Sequence, residues 1–83
     1  MCQMKMYHVT TTRNGVRYAA FLHTWDDGNA VEYVTRFDDM GGRVIHDAEF
    51  PVRNLGTASR DEYTRVMLAS IADADQQGRK VEM

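Results

Sequence analysis

The chain has 83 residues, of which 43% are hydrophobic and 27% are charged, and its net charge is −2. This length allows a single domain with a thin core, expected over residues 1–83, and the composition excludes wholesale disorder. The charge balance argues against a duplex-binding protein, which usually carries a basic stripe. One cysteine, Cys2, cannot form an internal disulfide, and no apolar run reaches membrane-spanning length or resembles a secretory signal. We therefore expect a cytoplasmic protein.

Four segments of the first fifty residues are rich in β-branched and aromatic residues, which is typical of strands. They cover residues 4–12, 16–25, 30–37 and 43–50. Asn14-Gly15 predicts a two-residue hairpin turn, because a type I′ turn needs positive φ at both central positions. Asp26–Asn29 predicts a four-residue turn, and the segment 38–42 predicts a third turn. Pro51 should end the fourth strand, since proline donates no hydrogen bond to a ladder.

The segment 59–77 predicts the only helix of the chain. Ser59 and Glu62 have the spacing of a capping box, and Gly78 supplies a left-handed stop. The helical period places one broad stripe toward a core, formed by Tyr63, Val66, Met67, Ser70, Ile71 and Ala74, with Leu68 at its edge. The predicted fold class is α+β: a four-stranded antiparallel β-meander packed on one C-terminal α-helix.

The two-residue turn at Asn14-Gly15 also predicts which side chains share a face of the sheet. The face toward the helix should carry Tyr7, Val9, Val16, Tyr18, Ala20, Leu22, Val31, Tyr33, Phe37, Val44, Ala48 and Phe50. The opposite face should carry Met4, Met6, His8, Phe21, His23, Trp25, Glu32, Val34, Ile45, Asp47 and Glu49. An uncovered sheet face should be polar, whereas this one keeps aromatic and apolar residues inside a rim of carboxylates. Such a patch is typical of a protein–protein contact.

The predicted partner-binding residues follow from this patch. Trp25 and Phe21 are the expected aromatic anchors, with His23 beside them. The expected acidic rim is Glu32, Asp47 and Glu49 on the same face, Asp26, Asp27, Asp38 and Asp39 in the adjoining turns, and Asp73 and Asp75 at the helix end. The apolar face and the bare edge strands also favour a two-fold homodimer.

Several candidate sites have simpler interpretations. His8, His23 and Glu32 could be drawn as a zinc site, but no C-x-x-C or H-x-x-x-H spacing supports one. Cys2 has no neighbour in sequence that would activate it as a nucleophile. The aspartate pairs lie in glycine-containing turns, where aspartate is favoured by its local backbone bonding. We therefore predict no catalytic residues, no metal and no cofactor.

Asp73 and Asp75 lie near the helix C-terminus, where the helix dipole disfavours negative charge. Either Arg79 and Lys80 neutralise them, or they face a partner with a basic surface.

In size and architecture the chain resembles the anti-CRISPR proteins of phages and mobile elements. The resemblance implies a small α+β protein without a catalytic site that covers the surface of a Cas effector. Acidic and aromatic residues would then occupy an Arg- and Lys-rich surface that should bind DNA, with no direct nucleic-acid binding and no membrane. Two alternatives belong to other classes: an antitoxin or small RNA- or DNA-associated regulator, and, ranked lowest, a small enzyme subunit or metal-dependent hydrolase.

Overall fold

The computed structural model describes residues 4–39, 41–56 and 59–78. Four strands form one antiparallel sheet in the order β1-β2-β3-β4. They are β1 (Met4–Arg13), β2 (Val16–Trp25), β3 (Asn29–Asp38) and β4 (Gly41–Pro51). A 3-10 turn, Val52–Leu55, leads to the single helix of the described residues, α1 (Arg60–Gln76). The predicted α+β fold, a β-meander with one C-terminal helix, is confirmed.

Local sequence signals set the ends of these elements. Asn14 and Gly15 both have positive φ, 52° and 78°, as the type I′ turn requires. The Ser59 side chain accepts a hydrogen bond from the Glu62 amide and caps the start of α1. Gly78, with φ 70°, follows the C-cap residue Gln77, and its amide donates to the Asp75 carbonyl.

The core lies between α1 and one face of the sheet, here called the inner face. Its larger cluster joins Tyr18, Ala20 and Val34 of the sheet to Met67, Leu68, Ile71 and Ala72 of the helix. A smaller cluster of Leu22, Ala30 and Leu55 fills the other end, with Tyr7, Phe50, Val52 and Tyr63 packed against it.

The helix packs over β1 and β2 and not over the middle of the sheet. Its buried stripe is therefore rotated from the predicted one. Thr64, Leu68 and Ala72 are buried, while Val66 is 64% exposed and Ser70 is exposed. The Thr64 hydroxyl donates to the Arg60 carbonyl, which satisfies it inside the core. The prediction that Val66 and Ser70 face the sheet is wrong, because periodicity alone does not say where a helix sits across a sheet.

The predicted faces of β3 are also wrong, for every residue. Thr24 pairs with Ala30, so the β2–β3 loop is one residue shorter than the predicted four. Gly28, with φ 93°, donates its amide to the Trp25 carbonyl and closes this loop. Because side chains alternate along a strand, a one-residue change in the loop turns the whole strand over. Glu32 and Val34 face the helix, and Val31, Tyr33 and Phe37 face away from it.

A β-bulge in β4 also reverses the predicted faces of two residues. His46 pairs with Val34 and Val44 pairs with Thr35, so Ile45 is the extra residue. The bulge reverses the alternation at this point. Val44 is therefore 56% exposed on the far face, while Ile45 packs against the core, opposite to the prediction for both.

Candidate partner-binding face

The face of the sheet turned away from α1, here called the outer face, carries a continuous aromatic and apolar surface. The ladder register places Trp25, Phe21 and His23 there, as predicted, and adds Val31, Tyr33 and Phe37 from β3. Met4 and Met6 are 53% and 56% exposed at the β1 edge. Sequence reasoning missed the three β3 residues. Asp26-Asp27-Gly28 was the signal for them, because glycine in the third position is typical of a three-residue hairpin loop.

A row of parallel rings crosses three strands of the outer face. The His8 and Phe21 ring centroids are 4.4 Å apart at an interplanar angle of 14°. Phe21 and Tyr33 follow at 4.8 Å and 18°. Phe21, the middle ring, therefore has both of its π faces covered by its neighbours. A platform for nucleobases needs free ring faces, so this row fits side-chain packing against a protein better than base stacking.

Trp25 and His23 extend the cluster toward the β2–β3 loop. The His23 ring lies 6.2 Å from Trp25 and 5.7 Å from Tyr33, between their centroids. Its Nε2 atom is buried and has no hydrogen-bond partner among the described residues. An unsatisfied buried nitrogen destabilises a fold.

The other end of the outer face holds a hollow of about 300 Å³. Its lining is formed by His8, Thr10, Arg17, Ala19, Phe21 and Phe37. Ala19 lacks bulk between the larger rings, which opens the space. The Arg17 guanidinium lies 5.2 Å above the Phe37 ring, in cation–π contact. This end therefore carries a positive charge and the β4 side a negative one.

Two carboxylates remain as the acidic rim on the outer face. Asp47 and Glu49 are exposed on β4, opposite Tyr33 and Val31 in the ladder, and no described residue forms an ion pair or hydrogen bond with either. Their charges are thus available to a partner.

The turn aspartates lie at the two ends of the sheet. Asp26 and Asp27 follow Trp25 directly, Asp38 is the last residue of β3, and Asp39 follows it. Asp27 Oδ1 accepts a hydrogen bond of 3.1 Å from the Asn29 amide, which is the turn role that aspartate often has. Asp38 Oδ2 lies 3.5 Å from Arg36 Nε. Asp27 and Asp38 thus already have contacts inside the chain.

Glu32 does not belong to the rim, and its predicted place there is wrong. It is 0% exposed on the inner face. Its Oε1 lies 3.0 Å from His46 Nε2, and its Oε2 accepts a 2.9 Å hydrogen bond from the Tyr63 hydroxyl. Burial and this bond raise the pKa of Tyr63 to about 12. Burying a carboxylate is costly unless polar groups compensate for its lost hydration, and here those groups come from β4 and α1.

Asp73 and Asp75 connect the helix end to the sheet. Asp73 pairs with Arg13 of β1. Asp75 Oδ2 accepts hydrogen bonds of 2.5 Å from the Tyr18 hydroxyl and from Arg36 Nη1. Burial, together with the bond to Asp75, raises the pKa of Tyr18.

These intrachain pairs explain why carboxylates are placed at the negative end of the helix dipole. Asp75, which is mostly buried, is not a rim residue, and Asp73 already has a cation of its own chain. Arg79 and Lys80, the predicted neutralising residues, lie outside the described residues.

The described residues contain no group of three or more His, Cys, Asp or Glu side chains that could hold a metal ion. No helix within 4–39, 41–56 and 59–78 is long and apolar enough to cross a membrane. Comparison with protein-family models, with curated sequences and with solved structures gives no significant match to this chain.

Proposed function

We propose that this protein is a non-enzymatic inhibitor that binds another protein through the outer face and blocks it sterically. The observation that carries the proposal is the aromatic and apolar surface on the side of the sheet that α1 leaves uncovered. Monomeric proteins rarely expose a contiguous apolar patch without a binding role. Trp25 and Phe21 are its anchors, because aromatic side chains supply most of the binding energy in such contacts.

The charge of the outer face indicates the chemistry of the partner. Asp47 and Glu49 are exposed beside the aromatic cluster and lack a cation among the described residues. A partner surface with Arg or Lys around an apolar centre would complement them. Surfaces that bind the DNA backbone are rich in Lys and Arg.

The specific partner that we propose is the DNA-binding surface of a Cas effector, in line with the resemblance to anti-CRISPR proteins of phages and mobile elements. This places the protein in the cytosol of the host cell. The stacked row His8–Phe21–Tyr33 and the acidic rim support a protein partner over nucleic acid. An antitoxin or an RNA- or DNA-associated regulator is the alternative, and the same experiment tests it.

The test uses purified guide-loaded Cas effectors of several types and measures how the wild-type protein changes their binding to target DNA. We expect one effector to lose DNA binding. Trp25→Ala should weaken this inhibition by about 30-fold or more, the size of a hot-spot loss. The fold should persist, since Trp25 faces away from α1. Asp61→Ala, on the exposed side of the helix, is the matched control and should inhibit like the wild type.

A second variant tests the rim. Asp47→Lys with Glu49→Lys should slow association more than it speeds release, and added salt should have the same effect on the wild type. Equal inhibition by wild type and Trp25→Ala would remove the outer face from the proposal. Failure to inhibit any effector would overturn the Cas assignment. Tight binding to bare single-stranded DNA or RNA would favour the regulator.

A further inference from the structure

The two edges of the sheet differ in how well they are protected against pairing with another strand. β4 contains the bulge at Ile45, two glycines at its start, Pro51 at its end, and exposed charges at Asp47 and Glu49. Bulges, proline and charge are the features that prevent edge pairing. β1 has neither a bulge nor a proline, and its two charges, Lys5 and Arg13, lie near its ends. Its ladder runs without interruption from Met4 opposite Trp25 to Arg13 opposite Val16.

The hairpin turn identifies the free backbone groups of β1. In a two-residue hairpin, Arg13 and Val16, which flank the turn, form a hydrogen-bonded pair, and every second pair along the ladder does the same. The odd-numbered residues of β1 therefore bond to β2. The even-numbered residues direct their amides and carbonyls away from the sheet, and all of them are exposed: Met4, Met6, His8, Thr10 and Thr12.

We propose that a second copy of this chain adds to the β1 edge, so that two β1 strands pair antiparallel about a two-fold axis at His8. The two sheets then form one sheet of eight strands. This inference is independent of the proposed inhibitor function, because it uses the edge of the sheet and leaves the outer face of each copy open.

Charge selects the register. When two β1 strands pair antiparallel, the outward-directed residues of one copy must lie opposite outward-directed residues of the other. Two registers meet this condition and pair almost the whole strand. With the axis at Val9, residues 5–13 pair, and Lys5 lies opposite Arg13 of the second copy. With the axis at His8, residues 4–12 pair, and Lys5 lies opposite a threonine, Thr11. Like charges directly opposite each other are destabilising, so the axis at His8 is favoured.

The position of α1 leaves room for this arrangement. Since α1 packs over β1 and β2, and strands are about 4.8 Å apart, the helices of the two copies would lie about 10 Å apart. Helices pack at 8–10 Å when small side chains lie between them. Tyr63 reaches Glu32 of β3, so the opposite flank of α1 points past β1. That flank carries the small Ala69 and the long Arg65, so the exposed Arg65 side chain must turn toward solvent for the two helices to pack, while Ala72 stays in the core.

The first experiment measures mass by sedimentation equilibrium over a range of concentrations. We expect twice the 9.5 kDa chain mass at high concentration. Thr10→Pro should weaken the dimer by about tenfold or more, because it removes an outward-directed amide in each copy while the β1–β2 bonds stay intact. Circular dichroism checks the fold. Should Thr10→Pro fail to fold, Thr10→Lys gives a second variant, which places a charge opposite the second copy's Met6.

The second experiment tests the register by disulfide formation, with Cys2 replaced by serine. His8→Cys should cross-link two copies on mild oxidation, since paired residues lie about 5.5 Å apart at Cα. Thr12→Cys is the matched control on the same edge and should stay uncross-linked, because it lies opposite Met4 of the second copy. A monomer mass at every concentration, an unweakened dimer of a folded β1-edge variant, or cross-linking through Thr12→Cys and not His8→Cys would overturn the proposal.

Discussion

Glutamate residues have opposite surroundings on the two faces of the sheet. Glu32 on the inner face is fully buried and has two partners, His46 and Tyr63. Glu49, on the neighbouring strand, is exposed on the outer face and has no partner among the described residues. The inner face therefore ties each buried carboxylate to the helix or to the next strand. The outer face stacks its rings on one another but leaves the carboxylates of Asp47 and Glu49 without partners among the described residues, so these charges are available to a binding partner.

The largest loss of stability is expected from a charge placed in the core between α1 and the inner face. Met67→Asp should unfold the domain, because an unpaired buried carboxylate costs several kcal/mol and a domain of this size has only about 5 kcal/mol to lose. Val66→Asp is the matched control on the adjacent helix position, which is 64% exposed, and it should fold. Thermal unfolding followed by circular dichroism compares the two. A sharp, unshifted transition for Met67→Asp would contradict the packing of α1.

The second test replaces one glutamate on each face of the sheet. Glu32→Ala should lower the free energy of unfolding by about 3 kcal/mol, since it leaves His46 and Tyr63 without their shared acceptor and opens a hole. Glu49→Ala should change it by less than about 0.5 kcal/mol. Urea unfolding of both variants gives the two values. Equal losses of unfolding free energy in the two variants would contradict the contacts of Glu32 with His46 and Tyr63.

The third test uses high pH to weaken the hydrogen bond from the Tyr63 hydroxyl to Glu32. The pKa of Tyr63 is raised to about 12 from an unfolded value of 10.0, so the folded state holds this proton more tightly. The stability that this provides is complete below pH 10 and is lost as the pH rises toward 12. Burial raises the pKa of Tyr18 too, and its contribution falls on the same alkaline side. Urea midpoints between pH 9 and pH 12 should fall for the wild type and fall less steeply for Tyr63→Phe. Parallel curves would rule out the Tyr63 contribution.

The smallest expected effect comes from an ion pair outside both faces. Arg65 Nε lies 3.1 Å from Asp61 Oδ2, one helical turn away, and both side chains are more than half exposed. Asp61→Ala should cost about 0.3 kcal/mol, because solvent screens an exposed pair of this kind. The urea midpoint should hardly move, and a loss above about 1 kcal/mol would show that this pair contributes to packing.

Signals that act within a few residues predicted most of the fold. Asn14-Gly15 fixed one turn, and Ser59 and Gly78 fixed the ends of the helix, because each acts through the local backbone. The outer position of Trp25, Phe21 and His23 followed from the first turn. The face of Glu32 depended on counting one loop residue, and the faces of Val44 and Ile45 depended on a bulge. Such single-residue events leave little trace in hydrophobic pattern, yet each reverses an alternation.

The end of the helix shows a different limit. Asp73 and Asp75 looked misplaced in sequence, since their partners Arg13, Tyr18 and Arg36 lie far away along the chain. Only the packing of α1 over the sheet brings these groups together. Helical periodicity could not say where across the sheet the helix would lie, so it could not anticipate these pairs.

The strict sequential order of the sheet also has a consequence for how the chain folds. Each ladder joins neighbouring segments, so every hairpin closes through a short loop at small entropic cost. Docking of α1 is the long-range step, since it brings Tyr18 to Asp75 across 57 positions of sequence. Hairpins can therefore form and dissolve quickly, but they gain a buried side only when the final element arrives. The apolar core under α1 and the pairs of Asp73 and Asp75 with the sheet form together in this last step, so a nascent chain that has not yet made α1 is a sheet with both faces uncovered.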